Sequence, residues 1–111
     1  MTKICYDAGS LTLICKGHAG SAPKGQDLVC CAISTLTGTL ISALESMSIH
    51  RCIEADEEEA FLIIHGLPCR ENMTKARLIF DIIVTGLRQL ASQYPQYIDF
   101  TEKFTMPKGE E

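Results

Sequence analysis

The chain has 111 residues, 46% hydrophobic and 22% charged, with a formal net charge of −4. That length suits one domain that buries its own core without disulfide staples. The acidic balance offers no footprint for phosphate attraction and so argues against direct nucleic-acid binding. The opening stretch, MTKICYDAGS, lacks the long apolar segment of a secretory leader, and no run is expected to reach the roughly 18 apolar residues of a bilayer span; the expected setting is the cytoplasm, away from any membrane. Thiols stay reduced there, so most of Cys5, Cys15, Cys30, Cys31, Cys52 and Cys69 read as small core residues.

In chain order, residues 3–6 and 11–16 are short apolar or β-branched runs separated by Asp7, Ala8, Gly9 and Ser10, a hairpin pattern. In the second run Leu11, Leu13 and Cys15 share one face. Residues 17–26, with three glycines and a proline, form a loop. Asp27 is a good N-cap for a helix over 28–47. Its expected buried stripe is Leu28, Ala32, Leu36, Leu40, Ala43 and Met47, widened by Val29, Ile33 and Leu44. Gly38 sits mid-helix and marks either a weak spot or a close helix contact.

Two strands follow, 49–55 and 60–66, joined by the acidic turn Asp56, Glu57, Glu58 and Glu59, read as a solvated hairpin tip. Asn72 is the expected cap of a second helix over 73–93, with Ala76, Phe80, Ile83, Leu87, Leu90 and Tyr94 on its inner face and Pro95 as its stop. A last strand is expected over 97–103. The order ββαββαβ predicts an α+β fold, a small antiparallel-dominated mixed sheet with two helices packed on it. Residues 1–105 form one domain and 106–111 a flexible tail.

The stretch GHAGSAPKGQDLVCCAIS, residues 17–34, carries the chemistry. With Asp27 as cap, Cys30 lies in the first turn of the helix, where unpaired amides and the positive end of the helix dipole favour a sulfur anion. His18 lies in the preceding loop, so a nucleophile and its base are both at hand. Gly17, Gly20 and Gly25 are the expected hinges of a loop that closes on substrate, and Lys24 exposes a charge there. Asp27 either caps amides or orients His18. Ser34, four residues after Cys30, faces the same side, where it serves the site or bonds back to its own helix. Cys31, about 100° further round, is expected to face the core.

GHAG followed by GQDLVCCAIS closely resembles the signature of the ribosomal-processing cysteine protease family, Prp. Outside residues 17–34 the likeness is one of pattern. The resemblance implies an α+β homodimer and a cysteine protease with Cys30 as nucleophile and His18 as base. Asp27 and Ser34 fall on motif positions in supporting roles. Leu28 stands where isoleucine is frequent, and Cys31 where alanine is usual. The implied substrate is the N-terminal extension of ribosomal protein twenty-seven of the large subunit, with no metal or organic cofactor.

Three other readings compete. A non-catalytic module would grip a ribosomal protein tail without cutting it. A redox sensor would use Cys30 with Cys31, although adjacent cysteines close a strained ring. A zinc site would draw on His50, Cys52, His65 and Cys69, whose spacing does not match paired CxxC motifs. The apolar excess on both helices, including Ile79 and Ile82, would serve either self-association or packing between the helices.

Overall fold

The structure is a computed structural model in which residues 1–18 and 27–106 are described. The order is β1 (Thr2–Asp7), β2 (Thr12–Lys16), α1 (Leu28–Ser46), β3 (Arg51–Asp56), β4 (Phe61–Gly66), a single 3-10 turn (Arg70–Asn72), α2 (Met73–Gln93) and β5 (Ile98–Lys103). Both the expected order ββαββαβ and the α+β class hold. The strands form one sheet in the order β3-β4-β2-β1-β5. Every pairing is antiparallel except β1 with β5, which is parallel. Of the expected tail only Met106 is described, and it is exposed.

Both hairpins use one device. Each has a four-residue loop, closed by Asp7 opposite Thr12 and by Asp56 opposite Phe61. In each, the aspartate Oδ1 accepts amides from the loop: Gly9 at 3.0 Å for Asp7, Glu58 and Glu59 at 3.0 and 3.2 Å for Asp56. A short acceptor that mimics a backbone turn is what aspartate supplies at such positions. Asp7 also takes the Thr105 amide at 2.9 Å, tying the end of β5 to the first hairpin. The Thr105 hydroxyl and amide, with Ser10 and Gly9, hold the Asp7 carboxyl well below the usual carboxylate range. A lowered folded-state pKa stabilises the fold above the unfolded value of about 3.9 and is lost as the pH falls below it. Asp7→Asn is therefore expected to destabilise at pH 7 and to flatten the acid side of the stability profile, as read by urea unfolding from pH 7 down to pH 3.

Alternation along the strands decides which face is buried. Ile4 and Tyr6 of β1, Leu13 and Cys15 of β2, Ile64 of β4 and Ile98 of β5 point to the helices. From the helices come Val29, Ile33, Leu40 and Leu44 of α1, and Ala76, Phe80, Ile83, Val84 and Leu87 of α2. Tyr6 stacks on Phe80 with ring centroids 5.8 Å apart. The opposite sheet face has no helix over it among the described residues.

The inner face of α1 departs from the expected stripe. Val29, Ile33, Thr37, Leu40 and Leu44 are buried, whereas Leu28 is 80% exposed and Met47 half-exposed. Apolar residues cover most of the circumference of α1, so periodicity alone cannot choose a face; packing against α2 and the sheet chooses it. The close helix contact is not at Gly38, around which a Cβ would meet nothing within 4 Å, but at Gly86 of α2, where a Cβ would come within 3.1 Å of Leu36. Contrary to expectation, α1 is long and apolar enough by composition to cross a membrane; here its apolar inner face lies in the core. Asn72 is at the N-cap of α2 and is also the last residue of the 3-10 turn; it makes no side-chain capping bond, and its Oδ1 is buried without a partner among the described residues. Tyr94 is the C-cap residue and is largely exposed.

Candidate active site

Sheet register places the end of β2 beside the start of β4. Cys15 lies opposite Leu62, and Lys16 opposite Phe61. The ladder runs one residue further, since the Gly17 amide donates to the Ala60 carbonyl at 2.7 Å. The Thr2 hydroxyl donates to the Gly17 carbonyl at 3.3 Å. Gly17 has φ +87°, and a Cβ there would lie 2.8 Å from the Met1 carbonyl oxygen. Only glycine meets both demands without strain. His18, exposed, is thus launched from a fixed point between the N-terminus and β4. Gly17→Ala is expected to strain the backbone by about 1–2 kcal/mol, lowering the thermal midpoint and peptide cleavage together.

Asp27 takes extended backbone angles (φ −84°, ψ 97°), and its side chain accepts the Cys30 amide at 2.9 Å. This is the capping bond expected of aspartate before a helix. The Asp27 carbonyl accepts the Cys31 amide at 3.0 Å. The Leu28 and Val29 amides lie in the same first turn, ahead of this first bond of the helix ladder.

The buried stripe sets a core direction for α1, and at about 100° per residue Cys30 lies about 60° from it while Cys31 lies about 160° away. Cys30 is accordingly half-buried at the edge of the core, and Cys31 is exposed. Cys31 does not face the core as expected: it lies well over 100° from the centre of the predicted stripe as well as of the observed one. Ser34, a turn after Cys30, is exposed on the same side. Thr35, Thr37 and Thr39 bond back to helix carbonyls. The Ser34 hydroxyl makes no such bond among the described residues.

Cys30, His18, Gly17 and Ser34 line one cleft of about 360 Å³. Its floor is apolar, with Cys15, Ile33 and Leu62, and its far wall is the β3–β4 hairpin with Ala55, Asp56, Glu57 and Ala60. Burial pushes the Cys15 thiol up to about 12, which leaves it an inert floor residue. Cys30 and His18 share the cleft without a hydrogen bond between them; catalytic bonds often tighten only when substrate is bound. Gly20, Lys24 and Gly25 lie outside the described residues.

Sequence reasoning missed the hairpin wall. The acidic tip is exposed as expected, yet Asp56 and Glu57 also line the cleft. Only the pairing of β2 with β4 brings them there, and no local signal reports that pairing. The zinc reading gains no support: Cys52 and His65 are cross-strand partners, but among the described residues no group of three or more potential ligands comes together.

A half-exposed cysteine at a helix start that shares an apolar-floored cleft with a histidine is an arrangement that thiol-dependent enzymes acting on peptides or acyl groups use. The family model of the cysteine protease Prp matches residues 1–99. A ribosomal processing cysteine protease Prp from Mycoplasma pneumoniae is 32% identical over 91 residues, 82% of this chain and 86% of that protein. Among solved structures, the essential ribosomal processing protease Prp from S. aureus, with a covalently linked product peptide, superposes with a TM-score of 0.78. It shares 24% identity over 92% of this chain and 97% of that one. A Streptococcus mutans protein superposes with a TM-score of 0.74 at 28% identity, over 94% and 93% of the two chains. The chain belongs to the cysteine protease Prp family.

Proposed function

We propose that this protein is a cytoplasmic cysteine endopeptidase that removes the N-terminal extension of ribosomal protein twenty-seven of the large subunit. The observation that carries the reading is the placing of Cys30 and His18 on the wall of one peptide-sized cleft. The relatives named as ribosomal processing proteases, and the S. aureus protein with its linked product peptide, support the substrate class.

In this mechanism His18 takes the proton from Cys30, and the sulfur attacks the scissile carbonyl. The tetrahedral oxyanion faces the start of α1, where first-turn amides are the donors. Collapse expels the amine half of the peptide, protonated by His18, and leaves a thioester on Cys30. Water, activated by His18, then releases the acid half. Asp27 acts through the helix start: its bond to the Cys30 amide sets the backbone that carries the sulfur. Ser34 offers a free hydroxyl to the bound peptide. No step calls for a metal or organic cofactor. The working unit is a homodimer, to which the exposed Leu78 and Ile82 of α2 offer an apolar contact.

The test is direct. The protein is mixed with a synthetic peptide spanning the extension and the first residues of the mature ribosomal protein, and the products are weighed by mass spectrometry. Two fragments with a single new terminus are expected, and none with His18→Ala. A peptide that binds and stays whole would leave a non-catalytic tail-binding module instead.

A further inference from the structure

The two walls of the cleft differ in charge. On the α1 side the lining includes Cys30 and Ser34, with His18 beyond β2; on the hairpin side it includes the acidic residues Asp56 and Glu57. No lysine or arginine is among the described lining residues, and neither carboxylate has an ion-pair partner among the described residues, where the two ion pairs are Arg51–Glu45 and Arg88–Glu102. Asp56 is held in place, since its Oδ1 takes the Glu58 and Glu59 amides; its charge therefore stays at the rim whatever the ligand does. Glu58 and Glu59 belong to the same turn but do not line the cleft. Between the walls the floor of Cys15, Ile33 and Leu62 is apolar.

A groove with an apolar floor and one anionic wall is complementary to a peptide carrying an apolar side chain beside a cationic one. Anionic partners are repelled from such a wall, and a wholly apolar segment leaves its carboxylates facing buried carbon. We infer that Asp56 and Glu57 are specificity residues that seat a lysine or arginine of the substrate within a few residues of the bond cut at Cys30. The inference rests on the protease reading of this cleft. It adds a charge requirement that the Cys30–His18 chemistry does not need.

The experiment uses synthetic peptides of the proposed extension that carry Lys, Gln or Glu at single scanned positions on either side of the cleaved bond. The ratio of kcat/KM for Lys over Gln is measured at each position. At one position or more, the unmodified protein is expected to prefer Lys about two- to tenfold, the range of one or two exposed ion pairs. Glu should be the poorest there, and the preference should shrink as NaCl rises from 0.05 to 0.5 M. Asp56→Asn with Glu57→Gln keeps shape and hydrogen-bond acceptors and should bring the ratio to near one. Glu58→Gln with Glu59→Gln removes the same two charges from the same turn and should leave the ratio standing. Equal cleavage of Lys, Gln and Glu peptides at every position overturns the inference while leaving the protease reading intact. A ratio that survives the Asp56/Glu57 change, or falls equally with the Glu58/Glu59 change, overturns it too. Cleavage of no peptide at all removes both readings.

Discussion

Replacing Cys30 with alanine is expected to lower peptide cleavage on the order of 10⁴-fold or more, while Cys31→Ala stays within about twofold. The first figure is the scale on which removing a covalent nucleophile acts in other hydrolases. The contrast follows from where three thiols point. Cys15 lies in the same cleft as Cys30, but burial raises its thiol to about 12, so at pH 7 roughly one molecule in 10⁵ carries the reactive anion. Cys31 is solvent-accessible but projects from the far side of α1. Cys30 alone combines partial exposure, the helix start and a shared wall with His18. Steady-state kinetics on the two single variants check this, with circular dichroism confirming that each folds. Loss of cleavage in Cys31→Ala with full activity in Cys30→Ala would reverse the assignment.

The largest stability loss is expected from Phe80→Ala, about 3–5 kcal/mol, the usual cost of emptying a fully buried aromatic site. Phe80 is completely buried in α2 and stacks on Tyr6 of β1. Its ring thus joins the second helix to the central part of the sheet, and its removal leaves a cavity that a helix and a strand cannot both close. Ile82, two residues on, is 61% exposed, and Ile82→Ala should cost about 0.5 kcal/mol or less in the isolated chain. Urea unfolding separates the two. Equal losses would mean that the apolar face of α2 is packed differently from this structure.

Much of the fold is legible locally. Alternating Leu11, Leu13 and Cys15, the Asp27 cap, the α2 stripe through Ala76, Phe80, Ile83 and Leu87, and the turn chemistry of Asp7 and Asp56 each act over a few residues. Helix and strand periods therefore carry them directly. What fails is wherever a local pattern admits two solutions. Apolar residues nearly encircle α1, so the choice between the stripe through Leu28 and that through Val29 rests with α2 and the sheet. Asn72 looks like a cap in sequence, but it is itself the last residue of a 3-10 turn, and its backbone is not the extended one that a capping side chain needs.

The candidate site divides in the same way. By itself the sequence determined which residues the proposal draws on: His18 after a glycine, an aspartate cap and Cys30 in the first helical turn are near neighbours along the chain, and helix-end electrostatics act within one turn. Only the tertiary structure decided what they face. Pairing of β2 with β4 carries the β3–β4 hairpin, about 30 residues downstream of Cys30, across from the sulfur. It makes the second wall of the cleft and adds Asp56 and Glu57 to it, because hydrogen bonds between strands join residues that no local periodicity relates.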